Sequence, residues 1–402
     1  MKPLRQILRP SLQPVTTRGV KRVAGALLIL VSAACARAVV CSSEPVIPTS
    51  EAAEPLWRHY PPMHQGRVLH SLTELADGTV LAIGGTDDSS DPIASVERFD
   101  PVTGRWSSLP PMPEGRTEHS AVRLRDGRVL VVGGNTLVAD PHPRVEVSQS
   151  TLLFDPKRET FTPGPSLRIG RRGAQVFCNV AGDVIVFGGD TGLYVDDQGV
   201  VEIWRHGTPG FVDGPVFEGY GYGSWGASHL RVGEVAMSLD AERRTAQWPN
   251  RLIGIIPPIT RRPLLSTLDL ETLAIRHRKP IAQRVRHLIM APLDDQSLLI
   301  VSTEEPRAYR LDSDATRARP ATPPPFPPHT LLGRGRGRAF AHRAVNGEED
   351  VALYDGESWR SAPPSGVEAP VFLALSDGRI LIAGARGFHA VVHGDTAILS
   401  AR

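Results

Sequence analysis

The sequence has few cysteines and almost no excess of charge. Only three of its 402 residues are cysteine, and two of them, Cys35 and Cys41, lie in the N-terminal segment. With Cys178 as its single cysteine, the folded body must be stabilised by an apolar core and not by disulfides. The 45 basic residues nearly balance the 43 acidic ones. This balance excludes the concentrated basic field of a dedicated nucleic-acid-binding protein.

Aromatic residues are also scarce, at 6%, whereas hydrophobic residues make up 41% of the chain, enough for a large core. Glycine and proline are abundant instead: 38 glycines and 36 prolines form nearly a fifth of the sequence, against about 12% in average proteins. A chain with this many turn-forming residues and a normal apolar content is folded and rich in turns, which favours an all-β protein.

The N-terminus has the pattern of an export signal. Residues 1–22 contain six basic and no acidic residues, and Val23–Ala36 is an uncharged, mostly apolar run. This run is shorter than the roughly 20 residues that span a bilayer, but it fits the apolar region of a signal peptide. We therefore expect residues 1–38 to be a signal peptide, 39–55 a flexible tether rich in Ser, Pro, Glu and Ala, and 56–402 the folded domain.

Two cleavage sites remain open for this signal. Ser32-Ala33-Ala34-Cys35 resembles a bacterial lipobox, in which the cysteine is lipidated, although Ser32 stands where leucine is usual. Ordinary cleavage within Ala36-Arg37-Ala38 is the alternative. The protein is accordingly expected to be exported, either lipid-anchored at Cys35 in the cell envelope or secreted, with no other contact with a membrane.

The folded domain contains an internal repeat of about 49 residues. Offset by one period, the following segments match: Trp57 with Trp106, Pro61-Pro62-Met63 with Pro110-Pro111-Met112, Gly66-Arg67 with Gly115-Arg116, His70-Ser71 with His119-Ser120, Asp77-Gly78 with Asp126-Gly127, and Gly84-Gly85 with Gly133-Gly134. A third copy has Phe154-Asp155-Pro156, Gly170-Arg171 and Gly188-Gly189, and a weaker one begins at Arg284. Short apolar runs such as Val80–Ile83 precede the double glycines, as expected for strands buried on both faces.

These residues resemble the kelch repeat, whose fold is a β-propeller. The resemblance is specific for residues 57–190 and weaker beyond them. It implies an all-β, kelch-type propeller. First strands are predicted near residues 69–75, 118–124, 173–179, 226–231, 284–291, 329–333 and 370–375, which gives seven blades of about 49 residues each. Six blades are the alternative, because 190–262 and 329–361 are poorly marked. Trp57 occupies a fourth-strand position with no blade before it. We therefore predict that the N-terminal strand completes the C-terminal blade, although a strand at 396–400 could take that place instead.

Four arginines share one repeat position: Arg67, Arg116, Arg171 and Arg284. Propeller geometry would place them around one mouth of the channel, where several guanidinium groups could bind a carboxylate or phosphate of an anionic ligand. In the eukaryotic kelch proteins that this pattern resembles, arginines on this face bind acidic peptides. Alternatively, these arginines bond backbone carbonyls between blades. The following histidines, His70, His119 and His287, are expected to be structural.

Residues 190–262 are the longest stretch without clear repeat signatures. They contain Tyr220, Tyr222 and Trp225 in a glycine-rich run. Such aromatics could stack on a sugar or a peptide, or they could fill a widened joint between blades.

An enzymatic function has little support in the sequence. Kelch propellers include the galactose oxidase family, whose copper site uses two Tyr, two His and a Cys-linked Tyr, but none of the six tyrosines here is followed by His as that family's motif requires. No nucleophile elbow, zinc-protease motif or phosphate loop is found. We expect no metal or cofactor. The sequence favours a monomeric, non-catalytic, envelope-associated scaffold that binds a protein or glycan, with a carbohydrate-active oxidase as the alternative.

Overall fold

The structure is a computed structural model. It describes residues 56–400 except 90, 139–143, 192–199, 217–228, 233–234, 242–262, 270–271, 273–274, 278–287, 295–296, 313–317, 346–347, 368–370 and 387–391. These residues belong to one compact unit, 54–402. Every regular element among them is a strand, which confirms the all-β prediction, and no helix that could cross a membrane occurs in these ranges.

The described strands form seven four-stranded sheets and one separate hairpin. The strand preceding blade 1 is β1 (Trp57–Tyr60). Blade 1 contains β2 (Ser71–Glu74), β3 (Val80–Ile83), β4 (Val96–Asp100) and β5 (Arg105–Leu109). Blade 2 contains β6 (Ser120–Arg123), β7 (Val129–Val132), β10 (Thr151–Asp155) and β11 (Thr160–Pro163), with the hairpin β8 (Asn135–Val138) and β9 (Arg144–Val147) inserted between β7 and β10.

The other blades follow in chain order. Blade 3 contains β12 (Gln175–Cys178), β13 (Val184–Phe187), β14 (Val200–Trp204) and β15 (Val212–Val216). Blade 4 contains β16 (His229–Val232), β17 (Val235–Ala241), β18 (Pro263–Asp269) and β19 (Ile275–His277). Blade 5 contains β20 (Leu288–Asp294), β21 (Ser297–Ser302), β22 (Ala308–Asp312) and β23 (Ala318–Ala321). Blade 6 contains β24 (Thr330–Gly335), β25 (Arg338–Val345), β26 (Glu348–Tyr354) and β27 (Trp359–Ala362). Blade 7 contains β28 (Val371–Ala374), β29 (Ile380–Arg386), β30 (Val392–Leu399) and β1.

The sheets are arranged as a propeller. First strands of neighbouring blades contact each other, β2 with β6, β6 with β12, β16 with β20, β20 with β24 and β24 with β28. A contact between β28 and β2 joins the last blade to the first. The seven first strands lie where the repeat pattern predicts them, including those of the weakly marked blades 4 to 6.

Ring closure uses the N-terminal strand, as predicted. β1 pairs antiparallel with β30, with Trp57 opposite Leu399 and Tyr60 opposite Thr396. The segment 396–400, the competing candidate, also contributes a strand, but it lies in the third position of the blade and β1 takes the fourth. The first and last parts of the domain therefore share one sheet.

The core lies between the blades. Val80, Leu81, Ala82 and Ile83 of β3 are all fully buried. Because side chains alternate along a strand, Leu81 and Ile83 pack toward blade 2 whereas Val80 and Ala82 pack toward blade 7. Second strands buried on both faces explain why the sequence shows continuous apolar runs there and not alternation.

The antiparallel connections divide the loops between two faces of the ring. Turns between first and second strands, and between third and fourth strands, form the turn face (75–79, 100–104, 124–128, 155–159, 179–183, 335–337, 355–358 and 375–379). Loops between second and third strands, and those leading to the next blade, form the loop face (61–70, 84–89, 91–95, 110–119, 133–138, 144–150, 164–174 and 188–191). The repeat arginines Arg67, Arg116 and Arg171 belong to the loop face.

Trp57 provides a test of ring closure. It is 6% exposed, its indole Nε1 donates to the carbonyl of Pro363 at 2.9 Å, and its ring packs edge-on against Phe340. Trp57→Ala should lower the free energy of unfolding by about 3–5 kcal/mol in urea titrations, the range for buried aromatic residues. His59→Ala, an exposed position in the same strand, should change it by less than about 0.5 kcal/mol. Equal effects of the two substitutions would contradict closure through β1.

Candidate functional site

The repeat arginines on the loop face are buried. Arg67 and Arg116 are 0% exposed and Arg171 is 2% exposed. A buried guanidinium must have its charge and its N–H groups satisfied by partners inside the protein. The partners of these three side chains therefore decide what the arginines can do.

Arg67 bonds to the second and third strands of its own blade. Its Nη1 donates to the carbonyls of Gly84 at 3.1 Å and Ser95 at 2.8 Å, and its Nη2 lies 2.7 Å from Oε1 of Glu97. Glu97 is 2% exposed and also accepts from the backbone N–H of Gln65 at 3.1 Å. Burial lowers the pKa of Arg67, and the charge and hydrogen bond of Glu97 oppose this shift.

Blade 3 repeats this arrangement. Nε and Nη2 of Arg171 lie 3.1 and 2.9 Å from Oε1 of Glu202, and Nη1 donates to the carbonyl of Gly188 at 2.8 Å. Glu202 is fully buried and accepts from the backbone N–H groups of Arg168 at 2.6 Å and Ile169 at 3.3 Å. In both blades a buried carboxylate therefore joins the arginine to the backbone of the loop before it.

Blade 2 uses a different carboxylate. The glutamates of blades 1 and 3 occupy equivalent positions, since Glu97 pairs with Ala82 and Glu202 with Val186 on the second strand. In blade 2 the residue at this position, paired with Val131, is Leu152. Arg116 pairs instead with Glu114 of its own loop, which is 45% exposed. Its Nη1 donates to the carbonyls of Gly133 at 2.8 Å and Ser150 at 2.9 Å, as in the other blades.

The same arginines join neighbouring blades through their backbone. The carbonyl of Arg116 accepts from the N–H of Gly85 at 2.7 Å, and that of Arg171 from Gly134 at 2.8 Å. A Cβ on Gly84 would lie 2.4 Å from the Arg116 carbonyl oxygen, so the double glycine permits this close approach. Arg116 and Arg171 thus each hold their own blade through the side chain and the preceding blade through the backbone carbonyl.

This geometry revises the predicted ligand site. Arg67, Arg116 and Arg171 share a position, as expected, but their guanidinium groups are engaged by carbonyls and carboxylates and are not exposed at a mouth. These contacts fit the alternative interpretation, in which the arginines bond to groups within and between the blades. Arg284, Tyr220, Tyr222, Trp225 and Cys35, the other predicted site residues, lie outside the described residues.

The two described repeat histidines are also buried between blades. His70 is 5% and His119 6% exposed. Nε2 of His119 lies 2.8 Å from Oγ of Ser71 in the preceding blade. Burial, assisted by the charge of Arg116, lowers the pKa of His119 to about 3, and burial lowers the pKa of His70 well below its ordinary value. Both rings are therefore neutral, which fits a structural role.

On the loop face, one repeat position of blades 1 to 3 is occupied by residues with positive φ that are joined by backbone hydrogen bonds. Leu69, Glu118 and Gly173 occupy one repeat position and have φ values of 55°, 54° and 62°. The N–H of Glu118 donates to the carbonyl of Leu69 at 3.0 Å, and that of Gly173 to Glu118 at 2.7 Å. A leucine in this conformation costs about 1–2 kcal/mol, yet the Leu69 side chain is 50% exposed and adds little to the core.

The β8–β9 hairpin presents further apolar side chains on this face. Leu137 and Val145 lie directly opposite each other and are 43% and 54% exposed. Nδ2 of Asn135, at the start of β8, donates to Oε2 of Glu118 at 3.2 Å and so connects the hairpin to the residues with positive φ. We refer to Leu69, Leu137 and Val145 as the loop-face apolar residues.

Sequence reasoning missed these residues, although a signal was present. Arg144-Val145-Glu146-Val147 alternates polar and apolar residues after a Pro-His-Pro sequence, and Thr136, Leu137 and Val138 before it are residue types common in strands, so the segment fits a hairpin. The repeat identifies only positions that match between blades, whereas the β8–β9 hairpin is an insertion in one blade.

The described residues contain no group of three or more His, Cys, Asp or Glu that could hold a metal ion. Cys178 is buried, with its thiol 3.7 Å from the carbonyl oxygen of Asn179. The ring of Tyr60 packs edge-on against Phe99, and the hydroxyl of Tyr354 donates to the carbonyl of Gly356.

Comparisons with known proteins agree with this architecture. Residues 73–113 match the kelch motif, and no curated protein sequence matches the chain. The solved structure of YjhT is similar over 84% of this chain and 95% of its own, with 14% identity and a TM-score of 0.50. A fungal alcohol oxidase of the AA5 family, in complex with copper, is similar over 83% of this chain and 79% of its own, with 15% identity and a TM-score of 0.51. The chain is a β-propeller with a kelch motif at residues 73–113, and at these identities the structural likeness concerns the fold alone.

The two kinds of arginine partner should differ in stability. Glu97→Gln removes a buried charge opposite Arg67 and should cost about 3 kcal/mol of unfolding free energy. Glu114→Gln, the matched change beside Arg116, should cost less than about 1 kcal/mol because the Glu114 carboxylate is half-exposed and already interacts with water. Urea denaturation of both variants measures the difference. Equal losses would mean that the buried carboxylate has no special role.

The neutral histidines predict acid sensitivity. Because the folded pKa of His119 is about 3, its stabilising contribution is complete above the ordinary value of 6.5 and is lost as the pH falls from 6.5 toward 3. Between pH 7.5 and pH 5 the loss should be about 2 kcal/mol. His119→Gln should flatten the stability profile in this window, whereas His59→Gln, at an exposed site, should not. An unchanged profile in His119→Gln would be inconsistent with a buried neutral imidazole.

Proposed function

We propose that this protein is a non-catalytic binding scaffold that holds a protein ligand on its loop face. The observation that carries the proposal is the exposure of the loop-face apolar residues Leu69, Leu137 and Val145. Exposed aliphatic side chains on one face, beside a strained backbone, are typical of a recognition surface.

The chemistry of the loop-face apolar residues favours a protein over a glycan. Aliphatic side chains offer apolar contact area but no aromatic platform for a sugar ring. The β8–β9 hairpin has only two strands and would be marginal on its own, so a ligand that covers Leu137 and Val145 would also stabilise it. The proposal does not assign an anionic ligand to the arginines, because Arg67 and Arg171 are paired with buried carboxylates.

Removing the apolar surface tests this proposal. Leu137→Ser with Val145→Ser should reduce capture of protein ligands from a cell-envelope extract by about tenfold, because the contact area is lost without a change in charge. Val102→Ser, which removes a 92% exposed valine from the turn face, serves as the control and should capture as well as the wild type. Equal capture by all three proteins would refute the loop-face site.

The proposed site of action is the cell envelope. The basic and apolar segments of residues 1–36 support export, and Cys35 supports a lipid anchor. The protein could alternatively be secreted after cleavage near Ala38.

Cys35 can be tested directly. Radiolabelled palmitate should be incorporated by the wild type and lost in Cys35→Ser, because the thiol is the attachment point. Cys41→Ser should retain the label and serves as the control. A mature soluble protein beginning at Val39 would show plain secretion.

A carbohydrate-active oxidase of the galactose oxidase type is the second candidate. Its support is the similarity in fold to the copper-bound AA5 alcohol oxidase. Metal analysis of the purified protein distinguishes the two functions: one tightly bound copper per chain would replace the scaffold proposal with the enzymatic one.

A further inference from the structure

One buried histidine at a junction between blades has no hydrogen-bond partner. His70 is 5% exposed, and neither Nδ1 nor Nε2 of its ring has a partner within the described residues. A buried polar group without a partner lowers the stability of the folded state, because it has given up its hydrogen bonds to water. The surroundings of His70 therefore determine how firmly this part of the ring of blades is closed.

His70 lies against blade 7 in the same way as His119 lies against blade 1. A Cβ on Gly384, in β29, would lie 2.7 Å from Cε1 of His70. A Cβ on Gly84, which follows β3, would lie 3.0 Å from Cε1 of His119. The junction between blades 7 and 1, which we call the His70 junction, therefore repeats the geometry of the junction between blades 1 and 2.

The His70 junction lacks the hydroxyl group that the next junction has. Nε2 of His119 lies 2.8 Å from Oγ of Ser71, the first residue of β2. Ser71 pairs with Ile83, the last residue of the second strand before its glycine. In blade 7 the equivalent pair is Val371 with Ala383, so a valine stands where blade 1 has the serine. Valine methyl groups cannot take part in a hydrogen bond, which explains why the imidazole at this junction has no partner.

The groups that face His70 from its own blade and from blade 2 disfavour a proton on its ring. Burial first, and then the electrostatic effects of Arg67 and His119, lower the pKa of His70 well below its ordinary value of 6.5. Glu97, the carboxylate on this side of the junction, already pairs with Arg67 at 2.7 Å and with Nδ1 of His64 at 2.9 Å. A protonated His70 would therefore be a buried cation without a carboxylate of its own.

Blade 7 supplies no hydrogen-bond acceptor to this ring within the described residues. The parts of blade 7 without acidic or basic side chains are residues 371–376, 380–384, 394 and 396–399. Asp377 pairs with Arg379 in the turn, and Asp395 is exposed to solvent. Tyr60 of β1 packs its ring on Phe99. The closed junction can thus hold His70 in its neutral form only.

Other polar contacts hold the His70 junction closed. Nε1 of Trp106 in blade 1 donates to Oγ1 of Thr396 in blade 7 at 3.0 Å, and these residues are 7% and 2% exposed. At the other end of β2, Glu74 accepts from the N–H and the Oγ of Ser376 at 2.9 and 2.8 Å. Because the indole N–H of Trp106 is buried only while the junction is closed, its exchange with solvent reports opening.

We propose that the His70 junction opens reversibly on acidification and makes the ring of blades sensitive to pH. In the open junction water solvates the imidazole, which can then bind a proton. With the ordinary pKa of 6.5 in the open form, the opening equilibrium should rise about tenfold between pH 7.5 and pH 5.5. His119 adds the same dependence on pH at the next junction, but its bond to Ser71 favours the closed form there. This property does not depend on the ligand proposed for the loop face.

Exchange of the indole N–H groups tests the proposal. Each tryptophan of the isotope-labelled full chain gives one indole signal, which is assigned by substitution with phenylalanine. The exchange rate of each signal, divided by that of a free tryptophan derivative at the same pH, gives the opening equilibrium. For Trp106 this ratio should be about tenfold higher at pH 5.5 than at pH 7.5. For Trp57, which bonds to Pro363 across the junction of blades 6 and 7, it should change by less than about twofold. An unchanged ratio for Trp106, or an equal rise for both tryptophans, overturns the proposal.

Two substitutions identify His70 as the group responsible. His70→Gln removes the titrating ring, so the Trp106 ratio should agree within about twofold at the two pH values. Val371→Ser supplies a hydroxyl group like that of Ser71 and should lower the ratio at pH 7.5 by at least about threefold. His59→Gln, at an exposed position, is the control and should keep the tenfold rise. A tenfold rise in His70→Gln contradicts the proposal; should that variant fail to fold, an unchanged ratio in Val371→Ser does so.

Discussion

The contact on which the described repeat region depends is the one between a repeat arginine and the double glycine of the preceding blade. The arginine carbonyl accepts from a glycine N–H, and its guanidinium holds the second and third strands of its own blade. A side chain on Gly84 would collide with the Arg116 carbonyl, and a shorter side chain at Arg116 would leave buried carbonyls without donors. The recurring spacing of Gly-Gly and Gly-Arg in the sequence reflects this contact between neighbouring blades.

The fold could be predicted from the sequence because its determinants are local and periodic. The apolar runs, the double glycines and the Asp-Gly turns recur at one spacing, and Trp57 without a preceding blade indicated how the ring closes. The role of the arginines could not be predicted in the same way. Glu97 and Glu202 follow their arginines by about 30 residues on another strand, and only strand register shows that they meet, so the same pattern fitted exposed and buried arginines equally well.

The departures from the repeat are the most informative positions for function. Leu152 stands in blade 2 where blades 1 and 3 have a buried glutamate, and the β8–β9 hairpin is inserted in the same blade. The hairpin also carries the exposed Leu137 and Val145, on which the proposed function rests.

The pairing of β1 with β30 has a mechanical consequence. A force on the chain before Trp57 that is directed along the axis of β1 would load the four residue pairs from Trp57–Leu399 to Tyr60–Thr396 together in shear. Because that strand also completes the ring, its release would open blade 7 and expose the apolar surface between blades 6, 7 and 1. The strength of four backbone pairs and one buried indole would thus set the tension that the propeller withstands.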